Sequence, residues 1–437
     1  MRDRRIRPCW GGMLLSRIET DMNDPRQLFQ HHESNVRSYC RAFDVLFVRG
    51  AGSELFDAQG RRYIDFLAGC GALNYGHNDP DMTEALVAHL RDGGLAMSLD
   101  LHSQTKHDFI DAFVAHILQL RGLSHRLQFT GPTGANAIEA ALKLARKRTG
   151  RHNVIAFSNA YHGLSMGALA ATGSRHHRMD LPHGGVTRLP YDGYLGTEAD
   201  SAALLEVLLD DPSSGIDPPA AIVLELVQGE GGLNVASTPW LKRVFAAARR
   251  HGALTIVDDI QAGCGRCGNF FSFDGQELVP DLIALSKSLS GLGLPFSLLL
   301  VAPEHDSWLP GEHTGTFRGN NHAMLTATVA LRKFWTDDAL CTQIDRRGQI
   351  VAQALTRMAE HVPEARLKGR GMFMGLDLRT RERAASASAH AFRNGLVIET
   401  AGSRGEVLKV MAPLTTPDAL LHEDLEILSH AVLSARG

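Results

Sequence analysis

Five short stretches are almost continuously apolar: Asn153–Phe157, Ala220–Leu224, Ala253–Val257, Asp281–Leu285 and Ser297–Val301. Runs of that length without polar alternation fit strands covered on both faces. Helical periodicity separates them. Ala137, Ile138, Ala141, Leu142 and Ala145 form one helical stripe, and Pro239–Arg250 reads as a helix with proline at its start. The alternation predicts an α/β unit with a mostly parallel sheet. Before it, Val45–Val48, Ser53–Phe56 and Tyr63–Phe66 read as short strands, the last two joined by a turn at Asp57–Gly60. Helical patterns follow over Met82–Arg91 and Lys106–Leu120. The character changes near residue 336. A long helical region from Asn321 to about His361 leads into Met372–Leu378, a helix over Ala384–Asn394, two short strands and a last helix. We therefore expect a large domain over 76–335 and a smaller α+β domain. The latter is assembled from 29–75 and 336–437, after an extension over 1–28.

Composition narrows the function class. The 437 residues are 44% hydrophobic and 21% charged with a formal net charge of −3, so no basic surface is expected for nucleic acid. No apolar run approaches the roughly 20 residues that span a bilayer. Cys9, Cys40, Cys70, Cys264, Cys267 and Cys341 are too few and scattered for a disulfide framework, which fits a reducing, cytoplasmic compartment. Cys264 and Cys267 have CxxC spacing, but no second pair completes a metal site, and none is expected. The basic start, Met1–Arg7, lacks an apolar segment after it and reads as an extension or an early start ahead of Met13 or Met22.

Chemistry concentrates where predicted strands end. Lys287 follows the run Asp281–Leu285, and Asp258 and Asp259 follow Ala253–Val257. Adjacent residues of an extended chain point to opposite sides, so only one of the two acids is expected to face a pocket. Thr130-Gly-Pro-Thr-Gly-Ala-Asn136 opens a helix, whose first N–H groups can cradle a phosphate. Tyr161 and His162 follow Phe157; the tyrosine could stack on a flat ring. Each feature alone has a plain reading: a strand-to-helix turn, a surface aromatic, a hydrogen-bonded histidine, a solvated lysine. Together they supply an anion cradle, a stacking face, an acid and an amine in chain order. That is what pyridoxal 5′-phosphate requires: a lysine to hold its aldehyde as a Schiff base and an acid to keep its ring nitrogen protonated.

The motifs carry a resemblance to class III aminotransferases of fold type I. Val257-Asp-Asp-Ile-Gln-Ala-Gly-Cys-Gly-Arg-Cys-Gly268 is similar to that family's acid signature, with Asp259 for its usual glutamate and Cys267 for its usual threonine. Leu285-Ser-Lys-Ser-Leu-Ser-Gly291 is similar to its lysine motif. Phe129–Arg146, Leu189–Tyr194 and Lys333–Asp338 resemble the diaminobutyrate–2-oxoglutarate subgroup, which makes L-2,4-diaminobutyrate from L-aspartate 4-semialdehyde with L-glutamate as amino donor. The resemblance implies roles. Lys287 would hold the cofactor and shuttle a proton. Asp258 would pair with the ring nitrogen, Gln261 reach the 3-oxygen, and Tyr161 stack. Gly134 and Ala135 would bind the phosphate, joined by Thr316 across a homodimer interface. In this family the glutamate at Glu230 masks a C-terminal arginine that binds the 2-oxo acid. Here Lys409 stands in its place, a point charge instead of a two-pronged fork. Other terminal-amine transaminases, acting on ornithine or GABA, and same-fold aminomutases remain open alternatives; a mutase would need no added 2-oxo acid.

Overall fold

The computed structural model describes residues 26–179, 184–196 and 198–435. The alternative starts at Met13 and Met22 lie outside them. Residues 26–28, assigned to the extension, fall within a helix spanning Arg26–His32.

Seven strands form the large sheet: β1 (Arg126–Gly131), β2 (Asn153–Phe157), β3 (Val186–Leu189), β4 (Pro219–Leu224), β5 (Leu254–Asp258), β6 (Leu282–Leu285) and β7 (Ser297–Val301). Their order is β1-β7-β6-β5-β4-β2-β3. The pairs from β6 through β3 are parallel, and β7 runs antiparallel to both β6 and β1. The reversal has a simple cause. Residues 286–296, which join β6 to β7, hold no full helix. A parallel return needs a crossover of about a dozen residues or more.

The apolar runs are strands because both faces are covered, and the period of two sorts them. Val154, Ala156, Ala221, Val223, Leu254 and Ile256 pack against Ala137, Ile138, Ala141 and Leu142 of the helix Gly134–Thr149. The alternate positions Ile155, Phe157, Ile222, Leu224 and Val257 face the opposite layer, with Trp240, Leu241 and Val244 of the helix Thr238–Arg250. Burying each such large apolar side chain contributes roughly 1.5–3 kcal/mol.

The N- and C-terminal regions share a second sheet. Phe47–Ala51, Glu54–Asp57 and Arg62–Asp65 form a meander, and Leu396–Val397 adds to it in parallel at Leu396↔Ile64. A third sheet orders Arg366–Arg370, Phe373–Asp377, Val407–Val410 and Glu399–Ala401, all antiparallel. The expected long helix from Asn321 to His361 is two helices, Asn321–Phe334 and Ala339–Glu360. The break comes where Trp335 turns inward and its indole N–H donates to the Tyr75 hydroxyl at 2.8 Å. The chain restarts with Asp337 accepting from the Ala339 N–H at 2.9 Å.

Candidate active site

A cavity of about 500 Å³ opens at the carboxyl ends of the parallel strands. Gly134, Ala135, Tyr161, Glu230, Asp258, Gln261 and Lys287 line it together. Lys409 stands behind Glu230 and reaches the cavity through it. Thr316 is not among the lining residues of its own chain.

Lys287 begins the turn Lys287–Ser290 directly after β6, with φ +52°. A lysine in the left-handed region is strained, and such strain persists only where the surroundings hold it. They do so here. The Ser286 hydroxyl donates to Phe296 O at 2.7 Å, and the Ser288 hydroxyl donates to Gly71 O at 2.6 Å. The Lys287 Nζ donates to Cys70 O at 2.9 Å. Burial lowers its pKa, partly opposed by the Glu230 carboxylate. A buried lysine of lowered pKa is closer to the free amine that nucleophilic chemistry needs.

Asp258 ends β5 and faces the cavity. Its Oδ1 accepts from the Ile260 N–H at 3.2 Å, and its Oδ2 accepts from His162 Nδ1 at 2.7 Å. Asp259 turns the other way, as the extended chain requires, and accepts from the Ser272 N–H at 3.0 Å. Burial pushes the Asp259 carboxyl up to about 7.

The helix Gly134–Thr149 points its start at the same space. Its first N–H groups have no partner within the helix. Asn136 closes the turn: its Oδ1 accepts from the Thr133 N–H at 3.1 Å and from the Thr133 hydroxyl at 2.9 Å. A Cβ at position 134 would lie 2.6 Å from Ile260 Cδ1, so the absent side chain keeps the approach to these N–H groups open.

Tyr161 is half-buried at the cavity wall, its N–H donating to Glu225 Oε2 at 3.0 Å. Glu225 was not singled out in the sequence. It sits at the end of β4, lines the cavity, and also accepts from the Gly229 N–H at 3.3 Å. Burial raises its carboxyl to about 8. An acid closing an apolar strand is the same signal that marked Asp258.

The far side of the cavity is an ion cluster. Lys409 is wholly buried and touches Glu230 Oε1 at 2.7 Å and Glu399 Oε1 at 2.8 Å. Gln261 Nε2 donates to the same Glu230 oxygen at 3.2 Å and to Cys70 O at 2.9 Å. Burial works against the Glu230 carboxylate, but the Lys409 ammonium outweighs it and lowers the pKa to about 2. Burial likewise opposes the charge on Lys409, and the two carboxylates reverse that and raise its pKa. Glu399 was also missed. It is cross-strand partner to Lys409, and its Oε2 accepts from the Tyr39 hydroxyl at 3.0 Å.

The family model for aminotransferase class-III matches residues 37–432. The chain belongs to the class III aminotransferases. Diaminobutyrate–2-oxoglutarate transaminase of Vibrio cholerae serotype O1 is 54% identical over 410 residues, covering 93% of this chain and 99% of that protein. The transaminase of the same name from Halomonas elongata is 46% identical, covering 94% and 99%. Among solved structures, ornithine aminotransferase from Toxoplasma gondii superposes with a TM-score of 0.82 at 26% identity, covering 94% of this chain and 93% of that one. The architecture is fold type I, and enzymes of this family are pyridoxal-phosphate-dependent transaminases. The residues present fit that cofactor. One cavity holds an anion-accepting helix start, a buried carboxylate, a half-buried aromatic and a lysine amine. Among the described residues no helix is long and apolar enough to cross a membrane.

Proposed function

We propose that this class III aminotransferase moves an amino group from L-glutamate to L-aspartate 4-semialdehyde, yielding 2-oxoglutarate and L-2,4-diaminobutyrate. The observation that carries the reading is the buried Lys409 held beside the cavity by Glu230 and Glu399. Relatives of about half-identical sequence that are named for this reaction support the substrate pair.

Bound pyridoxal phosphate supplies an electron sink for the carbanion formed at the amine-bearing carbon. Lys287 would hold its aldehyde, and its amine would supply and accept the proton exchanged at that carbon. Positioned proton transfer of this kind is worth roughly 10²–10⁴-fold. Asp258 would hold the ring nitrogen in its charged form, because a carboxylate beside it favours the proton there. The N–H groups of Gly134 and Ala135 would bind the phosphate, Tyr161 would pack on the ring, and Gln261 would donate toward its 3-oxygen.

Glu230 and Lys409 sort the two substrates. Paired, and with Glu399 on the same ammonium, they present no free cation and suit a terminal amine or aldehyde. With Glu230 displaced, Lys409 takes the carboxylate that glutamate and 2-oxoglutarate carry beyond the reacting carbon. We further propose a cytoplasmic homodimer in which Thr316 reaches the partner's phosphate. Thr316 stays out of its own cavity while Phe317 beside it is exposed, which supports this. The reading also takes 76–335 as the cofactor-binding domain, with 29–75 and 336–437 as the smaller one.

The test supplies glutamate and aspartate 4-semialdehyde to the loaded enzyme. Equal amounts of diaminobutyrate and 2-oxoglutarate are expected. No diaminobutyrate, alongside good turnover of ornithine or GABA, would overturn the assignment.

A further inference from the structure

The ion cluster beside the cavity holds one cation and two acids, and the exchange between Glu230 and Lys409 uses only one of the acids. Glu399 is the other. It is 7% exposed and lies on the strand Glu399–Ala401, directly across from Lys409 on Val407–Val410. The hairpin register keeps its carboxylate on the Lys409 ammonium, with Oε1 2.8 Å from Nζ. Glu230 is held differently. It sits in a turn after the strand Val227–Gln228, where the Gly232 N–H bonds back to Gly229 O at 3.4 Å. A turn leaves its side chain freer to swing than a strand pair does, so Glu230 can leave Lys409 while Glu399 stays.

The two oxygens of Glu399 are unequal. Oε2 accepts from the Tyr39 hydroxyl at 3.0 Å. At Oε1 the Lys409 contact is an ion pair alone: among the described residues no hydrogen-bond donor is directed at this buried oxygen. Lys409 aims its N–H at Glu230 Oε1 instead, at 2.7 Å. A buried carboxylate oxygen without a hydrogen bond is costly, so a donor that reaches it is bound well. The reacting centre is close by. The Cys70 carbonyl accepts from Lys287 Nζ and from Gln261 Nε2, both at 2.9 Å, and Gln261 also touches Glu230. Burial lowers the Lys287 pKa, and Glu399 is among the charges that oppose it.

Two carboxylates around one ammonium leave the closed cluster with net negative charge. Such a surface repels a lone carboxylate and attracts an ammonium. L-Aspartate 4-semialdehyde carries an ammonium two carbons beyond its aldehyde carbon. Succinate semialdehyde has a hydrogen there and is otherwise the same molecule. We propose that Glu399 is the residue that selects the amino acceptor, its Oε1 receiving the α-ammonium of the semialdehyde and of the diaminobutyrate made from it. Lys409 and Tyr39 hold the carboxylate in place for that contact. The inference rests on the proposed substrate pair and names the side chain that reads the group setting this acceptor apart.

The experiment uses the cofactor-loaded enzyme with glutamate as donor. Its readout is kcat/KM for aspartate 4-semialdehyde divided by kcat/KM for succinate semialdehyde. Losses common to both acceptors, in folding, cofactor content or the donor half-reaction, cancel in that ratio. The parent should favour aspartate 4-semialdehyde. Glu399→Gln keeps the shape but loses the charge, and should lower the ratio about 10- to 100-fold, the range of a buried hydrogen bond to a charged group. Glu399→Asp keeps the charge beside Lys409 but draws it back by one methylene, and should lower the ratio less. A ratio in Glu399→Gln within about threefold of the parent's, an equal fall for both acceptors included, overturns the proposal. If the parent itself does not favour aspartate 4-semialdehyde, the substrate reading falls and this inference with it. A clear preference in the parent beside an unchanged ratio in Glu399→Gln removes the inference alone. Should Glu399→Gln fail to fold, Glu399→Asp decides, and a parent-like ratio there overturns the proposal.

Discussion

Replacing Lys409 by methionine removes the cation from the centre of a buried ion cluster while keeping most of its apolar stem. Lys409 is wholly buried, and two carboxylates lie within 2.8 Å of its Nζ. Glu230 gives the scale. Its carboxyl moves from an ordinary 4.5 down to about 2, against the pull of burial, chiefly through Lys409. That displacement corresponds to about 3 kcal/mol of preference for the charged form. Breaking a buried pair by removing one partner costs about 3–5 kcal/mol, the same range. The sign is fixed by the direction of the shift. In the parent, this stabilisation is present above the ordinary carboxyl range near 4.5 and is lost as pH falls through about 2. In Lys409→Met the two acids lose the cation they contact, Lys287 and Gln261 compensate Glu230 only in part, and burial weighs more heavily on both acids, so the deficit grows as pH rises from about 5 to 8. Urea unfolding of both proteins at the two ends of that range reads the difference. Adding Glu399→Gln to Lys409→Met should recover part of the loss, since one of the two stranded charges is gone. An unchanged unfolding midpoint in Lys409→Met at both pH values would refute the claim that the cluster is energetically coupled.

Other outcomes are equally specific. Lys287→Ala should lose the visible cofactor band and lower turnover by roughly 10²–10⁴-fold or more, measured by absorbance and product formation. Asp424, on the helix Asp418–Ser434, is fully buried, neither carboxyl oxygen has a hydrogen-bond partner among the described residues, and burial pushes it to about 8. Its raised value means the parent loses stability as pH climbs from about 4 through 8, so Asp424→Asn should raise the melting temperature more at pH 8 than at pH 5; equal shifts would argue otherwise. Gly163→Ala combines φ +127° with a 2.7 Å clash against Ala135, and should weaken pyridoxal phosphate binding about tenfold and cost about 1–3 kcal/mol of stability, checked by titration and melting.

Much of the site could be read along the chain because each piece closes a local signal. Lys287, Asp258 and Tyr161 each follow an apolar run, and Gly134 opens a helix after a Gly-Pro-Thr turn. The sheet itself was legible for the same reason. The reversal of β7 was not, because a strand buried on both faces reads alike in either direction; only the short link over 286–296 hinted at it. Glu399 had no local mark. It meets Lys409 through the hairpin register of Glu399–Ala401 against Val407–Val410, a pairing that periodicity does not specify. Tyr39 and Cys70 likewise reach the cluster through tertiary packing. The Tyr39 hydroxyl lies 2.8 Å from Cys70 Sγ, across 31 residues of chain. The break between Phe334 and Ala339 was hidden by apolar positions that keep helical spacing through it, whereas the inward turn of Trp335 decides the structure.

The substrate assignment turns on the choice of amino acceptor. With glutamate as donor, kcat/KM for L-aspartate 4-semialdehyde measured against succinate semialdehyde and L-glutamate 5-semialdehyde tests it most directly. Aspartate 4-semialdehyde should give the highest value. A higher value for either competitor would contradict it.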